Sequence, residues 1–203
     1  QFNGWFIFAI IALFLKLMEQ KNVSFDEKKM KGFFSLLTVS CIISFALAIT
    51  WSTPEHYIFW INSFGVVIQF VALYFLIKLI WPLKNKLKRI FSPWVFLMLS
   101  LSFVALILKI AIQTLVAIPD IATISYTVRN FVIGFIHLLM LGSLSLFLIA
   151  MISNQISEPE KSNKIGVYIF LSGFILSELL LFIQGVFLWG AKGFIPYYDI
   201  SLF

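Results

Sequence analysis

The chain has 203 residues, 61% of them hydrophobic and 12% charged, with a formal net charge of +6 and a mean hydropathy of +1.01. A water-soluble domain of this composition would leave too much apolar surface in water, which excludes a soluble enzyme or binding domain. The single cysteine, Cys41, stands inside an apolar run, which excludes both an internal disulfide framework and a cysteine-based metal cluster.

Taken in chain order, the first apolar run covers residues 2–18 and directly follows Gln1. It is marginal for a hydrocarbon core that takes about 20 residues to cross, so the sequence is expected to enter within a helix, as a segment of a longer protein. Further apolar spans are read at 33–50, 58–80, 94–117, 130–151 and 165–190. Between them lie turn and cap residues: "STPEH" at 52–56, "IPDIAT" at 118–123 and "SEPEKSNK" at 157–164, where proline costs little. The expected fold class is all-alpha, a polytopic helical transmembrane bundle of about six spans forming a single membrane domain over 1–203.

Charge gives this bundle an orientation. The connections after the first, third and fifth spans carry Lys21, Lys28, Lys29, Lys31, then Lys84, Lys86, Lys88, Arg89, then Lys161 and Lys164. The opposite side has Arg129 and Lys192, with Glu55, Asp120 and Asp199 nearby. The positive-inside asymmetry therefore places the lysine-rich connections in the cytoplasm and both ends of the sequence outside. The same asymmetry accounts for the "LKNKLKR" run at 83–89 without a nucleic-acid partner.

Polar residues inside the spans are the candidates for function. A charge near mid-bilayer costs about 2.5 to 3.5 kcal/mol on insertion scales, so Lys109 and Glu178 are expected to face protein or a polar cavity, either as a pair or as a site for a substrate, ion or proton. Residues seven apart differ by only about 20° around a helix, so Asn130 shares a face with His137, Ser102 with Lys109, Asn62 with Gln69, and Ser177 with Gln184. Gln113 lies one turn beyond Lys109. In the proposed orientation Asn62, Lys109, Gln113, Asn130, His137 and Gln184 fall in the outer half, with Gln69 and Glu178 near the middle and Arg129 at the outer helix end. Such groups either line an outward-facing cavity or fasten neighbouring helices with hydrogen bonds worth about 1 kcal/mol each. Gly134 and Gly142 on the fifth span are packing positions, and Ser143 and Ser145 can bond back to carbonyls.

Histidine can ligate haem iron or another metal, or carry a proton. The sequence has two, His137 in a span and His56 in a short connection, and no HxxxH, HExxH or paired-cysteine spacing marks a catalytic metal centre. The sequence alone makes His137 a hydrogen-bonded structural residue first and a metal ligand second.

The stretch "RNFVIGFIHLLMLG", Arg129 to Gly142, resembles the motif of histidine, leucine, two residues, leucine and glycine in the NnrS membrane proteins associated with the nitric-oxide response, and in relatives with a haem-copper-oxidase-like arrangement of helices. "NGWF" at Asn3 to Phe6 is similar to uncharacterised bacterial membrane proteins of that type. The resemblance covers about a tenth of the chain. It implies a bacterial cytoplasmic membrane, a longer many-helix protein with more histidines, and His137 as the motif histidine with haem as its cofactor.

Three function classes follow. A noncatalytic membrane module or subunit, partnered by lipids and by missing upstream helices or other membrane subunits, predicts polar groups satisfied between helices. A transporter for a small molecule, ion or proton predicts one accessible polar cavity. A haem- or metal-binding redox or nitric-oxide-related protein predicts a second strong ligand facing His137. The first is the leading expectation, with no cofactor.

Overall fold

The computed structural model describes residues 2–46, 49, 56–115, 118, 121, 124, 127–155 and 161–195. These form six helical rods with no strand among them, so the chain is a helical bundle. The first rod is a π-helical turn, Phe2–Phe6, running into α1, Ile7–Gln20. Beyond it Asn22 takes the left-handed region at φ 52°, which a short polar side chain tolerates. α2, Glu27–Ser44, starts at Asp26, whose Oδ1 accepts from the backbone N–H groups of Lys28 and Lys29 at 3.1 and 3.2 Å. The bond from the Lys29 amide, with the Lys29 ammonium alongside, holds the Asp26 carboxyl below the usual carboxylate range.

α3, His56–Ile80, ends where Pro82 removes a backbone donor. The chain passes through a 3-10 turn, Trp81–Leu83, into α4, Lys84–Ile90, so the lysine-rich run at 83–89 is mostly helical. Phe91 is extended, Ser92 Oγ accepts from the Val95 N–H at 3.4 Å, and Pro93 opens α5, Pro93–Leu115, at a position where its missing N–H costs nothing. The fifth rod joins α6, Arg129–His137, a π-helical stretch, Leu138–Ser145, and α7, Leu146–Gln155. The sixth is α8, Lys161–Trp189.

Four stretches among the described residues are long and apolar enough to cross a membrane: Trp60–Ile90, Pro93–Leu115, Arg129–Gln155 and Lys164–Trp189. α2 lies along α3, α5 packs on α3, on the π-helical stretch and on α7, and α8 packs on α6. α5 and the π-helical stretch run antiparallel, since Ser102 meets Ser143 while Ala105 meets Gly142. Gly65, Gly142 and Gly185 permit close approaches. A Cβ on Gly65 would lie 2.8 Å from the Ser44 backbone nitrogen, and one on Gly142 would lie 2.8 Å from Phe174 Cζ and 3.0 Å from Ala105 Cβ.

The connections after α1 and α3 meet at one end of the bundle. There Leu17, Met18, Val23, Leu87, Phe91, Val95, Met98, Leu146 and Ala150 form one apolar cluster, and Lys86 Nζ donates to the Asn22 carbonyl at 3.3 Å. This is the lysine-rich end. A second cluster farther along joins Ile7 and Ile11 to Phe33, Leu37, Ala72, Leu73, Leu76, Leu106, Ile110 and Leu139. The segments 50–55, 119–120, 122–123 and 156–160, with Glu55, Asp120, Asp199, Gln1 and the side chains of His56 and Lys161, lie outside the described residues, and so does the cap chemistry read there.

Candidate functional site

Lys109 and Gln113 stand one turn apart on the face of α5 turned into the bundle, and both are buried, Lys109 completely. Lys109 Nζ donates to Gln113 Oε1 at 2.6 Å and lies 5.2 Å from the ring centroid of Phe135 on α6. A charge-assisted bond and an aromatic face are what a buried ammonium needs in place of water. The neighbouring thiol is Cys41 of α2, and a Cβ on Gly4 would lie 3.1 Å from its Sγ, so the start of the first rod closes over this region.

α3 presents Asn62 and Gln69 on one buried face, with Gly65 between them packed against Ser44. Ser40 and Ser44 of α2 are buried as well. Asn62 Oδ1 and Gln69 Oε1 are buried and accept no hydrogen bond. Because Ala72 and Leu73 share an apolar cluster with Leu106 and Ile110 of antiparallel α5, Gln69, one turn away, falls at the level of Lys109 and Gln113.

His137 and Glu178 form a separate centre between α6 and α8. His137 Nδ1 lies 3.8 Å from Glu178 Oε1, and neither atom makes a hydrogen bond although both are buried. The remaining side-chain surface is partly open, 37% for His137 and 23% for Glu178, which puts the pair at the edge of the helix seam. Gly134 lies beside the carboxylate, where a Cβ would be in ordinary contact at 3.4 Å from Glu178 Oε2. Phe135 and His137 are two residues apart, about 200° around α6, so one faces α5 while the other faces α8. That rotation separates the two centres.

Lys109 and Glu178, which the sequence left as a candidate pair, do not pair: the side chain that approaches the Glu178 carboxylate is the His137 imidazole. The hydrogen bond expected at His137 is replaced at Nδ1 by the longer approach to the carboxylate. Asn130 has a partner of its own, and Arg129 is exposed at the end of α6. Gly142 packs against Ala105 and Phe174 as a close-approach residue. Ser145 Oγ donates to the Met140 carbonyl at 2.9 Å, and the Ser143 carbonyl accepts from Ser102 Oγ at 2.7 Å, whereas Ser143 Oγ makes no bond. Gln184 is completely buried, donating to the Gly193 carbonyl at 3.3 Å and accepting from the Ile195 N–H at 2.8 Å, so it pins the chain beyond α8.

Sequence reasoning missed Phe135 and Cys41 as neighbours of Lys109; the proximity of Phe135 to the motif histidine was the available signal. It also missed the π-helical geometry after His137, a form of helix common near functional sites. No group of three or more histidine, cysteine, aspartate or glutamate residues suited to a metal ion occurs among the described residues. The group facing His137 is the Glu178 carboxylate.

Four membrane-length apolar rods with ionisable groups between them define a polytopic helical membrane protein. No family model, no curated protein and no solved structure matches the chain.

Proposed function

We propose that this chain is a noncatalytic membrane-embedded helical module, working with further helices of the same protein or with other membrane subunits. The observation that carries this reading is the Lys109–Gln113–Phe135 unit, in which the most buried charge of the bundle is taken up by protein groups. Ser102 with Ser143, and Gln184 with Gly193 and Ile195, use polar groups in the same way. The Ser102–Ser143 bond joins two helices, while the bonds of Gln113 and Gln184 satisfy polar groups within α5 and between α8 and the chain that follows it, where lipid offers no hydrogen-bonding partner. The reading includes a bacterial cytoplasmic membrane, with the lysine-rich end in the cytoplasm and both ends of the sequence outside.

The test is a comparison of stability with flux. Gln113→Leu is expected to lower the unfolding temperature in detergent while leaving proton and cation leak through proteoliposomes at the level of the unaltered protein. Flux that depends on Gln113 or Lys109 overturns the module reading.

A second reading, transport of a proton or small cation, is favoured by one observation. His137 Nδ1 and Glu178 Oε1 face one another at 3.8 Å with no hydrogen bond to any group, which leaves two buried polar atoms for a passing ion to meet. Proton uptake by proteoliposomes under an imposed pH gradient, abolished by Glu178→Gln, would establish it. A haem spectrum lost in His137→Ala would instead establish the redox reading that the motif resemblance implies.

A further inference from the structure

One well-formed opening among the described residues lies away from both polar centres. It is a groove of about 520 Å³, within the size range of small-molecule sites, between α1, α3 and α5 toward the lysine-rich end. Its walls include Ile10 and Phe14 of α1, Ile77 of α3 and Phe103 and Ile107 of α5. Two hydroxyls reach it, and both are already committed: Ser100 Oγ donates to the Phe96 carbonyl and Ser102 Oγ to the Ser143 carbonyl, each at 2.7 Å. Away from Lys84 the walls are therefore almost wholly apolar, chemically a slot for hydrocarbon.

Its charge and length narrow the occupant. The charged residue in its lining is Lys84, beside Trp81, with Nζ 5.2 Å from the indole centroid. Both residues are exposed where α3 gives way to α4, the kind of aromatic and basic pairing that sits at headgroup level. On α5 the lining runs from Phe96 to Ile107, about 16 Å at helical rise, close to half of a hydrocarbon core about 30 Å thick. Val104, 57% exposed, lies along the open side.

We propose that this groove binds one acyl chain of an anionic glycerophospholipid from the leaflet at the lysine-rich end, with the phosphate drawn to Lys84. A single-leaflet depth, an apolar wall and a cation at the headgroup end match that ligand.

The experiment is native mass spectrometry of the whole protein in a neutral detergent, titrated with phosphatidylglycerol or phosphatidylcholine. Phosphatidylglycerol is expected to be retained more tightly, and Lys84→Gln is expected to weaken it about fivefold, the worth of one lysine near an anionic surface. Val104→Trp, which fills the open side, is expected to remove both lipids, whereas Lys28→Gln, outside the groove, changes neither. The helical circular dichroism of each variant is checked, and Lys84→Gln alone decides the matter if the tryptophan variant does not fold. Equal retention of the two lipids, insensitivity to Lys84→Gln, or displacement of the lipid by inorganic phosphate overturns the proposal. So does a dimer mass with no lipid retained, which would assign the groove to a second copy.

Discussion

The two ends of this bundle are held together by different physics. At the lysine-rich end Leu17, Met18, Leu87, Phe91, Val95, Met98, Leu146 and Ala150 pack apolar against apolar, and the neighbouring opening is an apolar-walled groove. Toward the other end the buried positions include Ser40, Ser44, Asn62, Gln69, Lys109, Gln113 and Gln184, and the helices meet through polar atoms as well as carbon. In lipid, apolar packing gains little from the hydrophobic effect and depends on shape, whereas polar contacts depend on leaving no group unmatched. The contrast teaches that the first end should respond to changes of volume and the second to changes of hydrogen-bonding capacity.

The largest expected effect is at the apolar end. Met98→Ala empties a fully buried position in a filled cluster and should cost about 2–5 kcal/mol of stability, read as a fall in the unfolding transition in detergent. A near-zero cost would show that this end tolerates loose packing. Next is Gln113→Leu, which keeps volume but removes the acceptor 2.6 Å from the Lys109 ammonium; a loss of about 1.5–3 kcal/mol is expected, as for a hydrogen bond to a charged group. Met98→Leu, the matching volume-conserving change, should cost less than about 1.5 kcal/mol, so the ratio of the two results sharpens the comparison.

Smaller still is Ser102→Ala. It removes one bond between α5 and the π-helical stretch and should cost about 0.6 kcal/mol, typical of an interhelical bond within a membrane. A value several times larger would mark the π-helical geometry as dependent on that hydroxyl.

The smallest effect lies outside the bilayer, at the start of α2. The Asp26 carboxyl is held below its ordinary range by the Lys29 amide, so its ionised form favours the folded helix start. That contribution is complete above the ordinary carboxylate pKa and fades as pH falls through the lowered folded value. Amide exchange at Lys28 and Lys29 should accordingly rise under acid once intrinsic exchange rates are corrected for, and Asp26→Ala should show the loss at neutral pH. Unchanged protection in that variant would remove the cap from the account of the helix start.

Sequence alone determined that this chain is a helical membrane protein, because apolar runs near the length of a hydrocarbon core have no other stable solvent, although the helix read from 33 begins at Glu27. It also located Lys109, Gln113, His137, Glu178, Asn62 and Gln69 as the costly residues, since an ionisable or amide group within such a run is conspicuous. Only the tertiary structure decided their partners. The periodicity of one helix states which residues share its face but not which neighbour that face meets. Thus α6 turns Phe135 toward Lys109 and His137 toward Glu178, dividing what looked like one Lys109–Glu178 question into two centres. The groove beside Lys84 was likewise illegible, because its walls come from α1, α3 and α5, and their separation is set by which side chains fill the space between them rather than by any one segment.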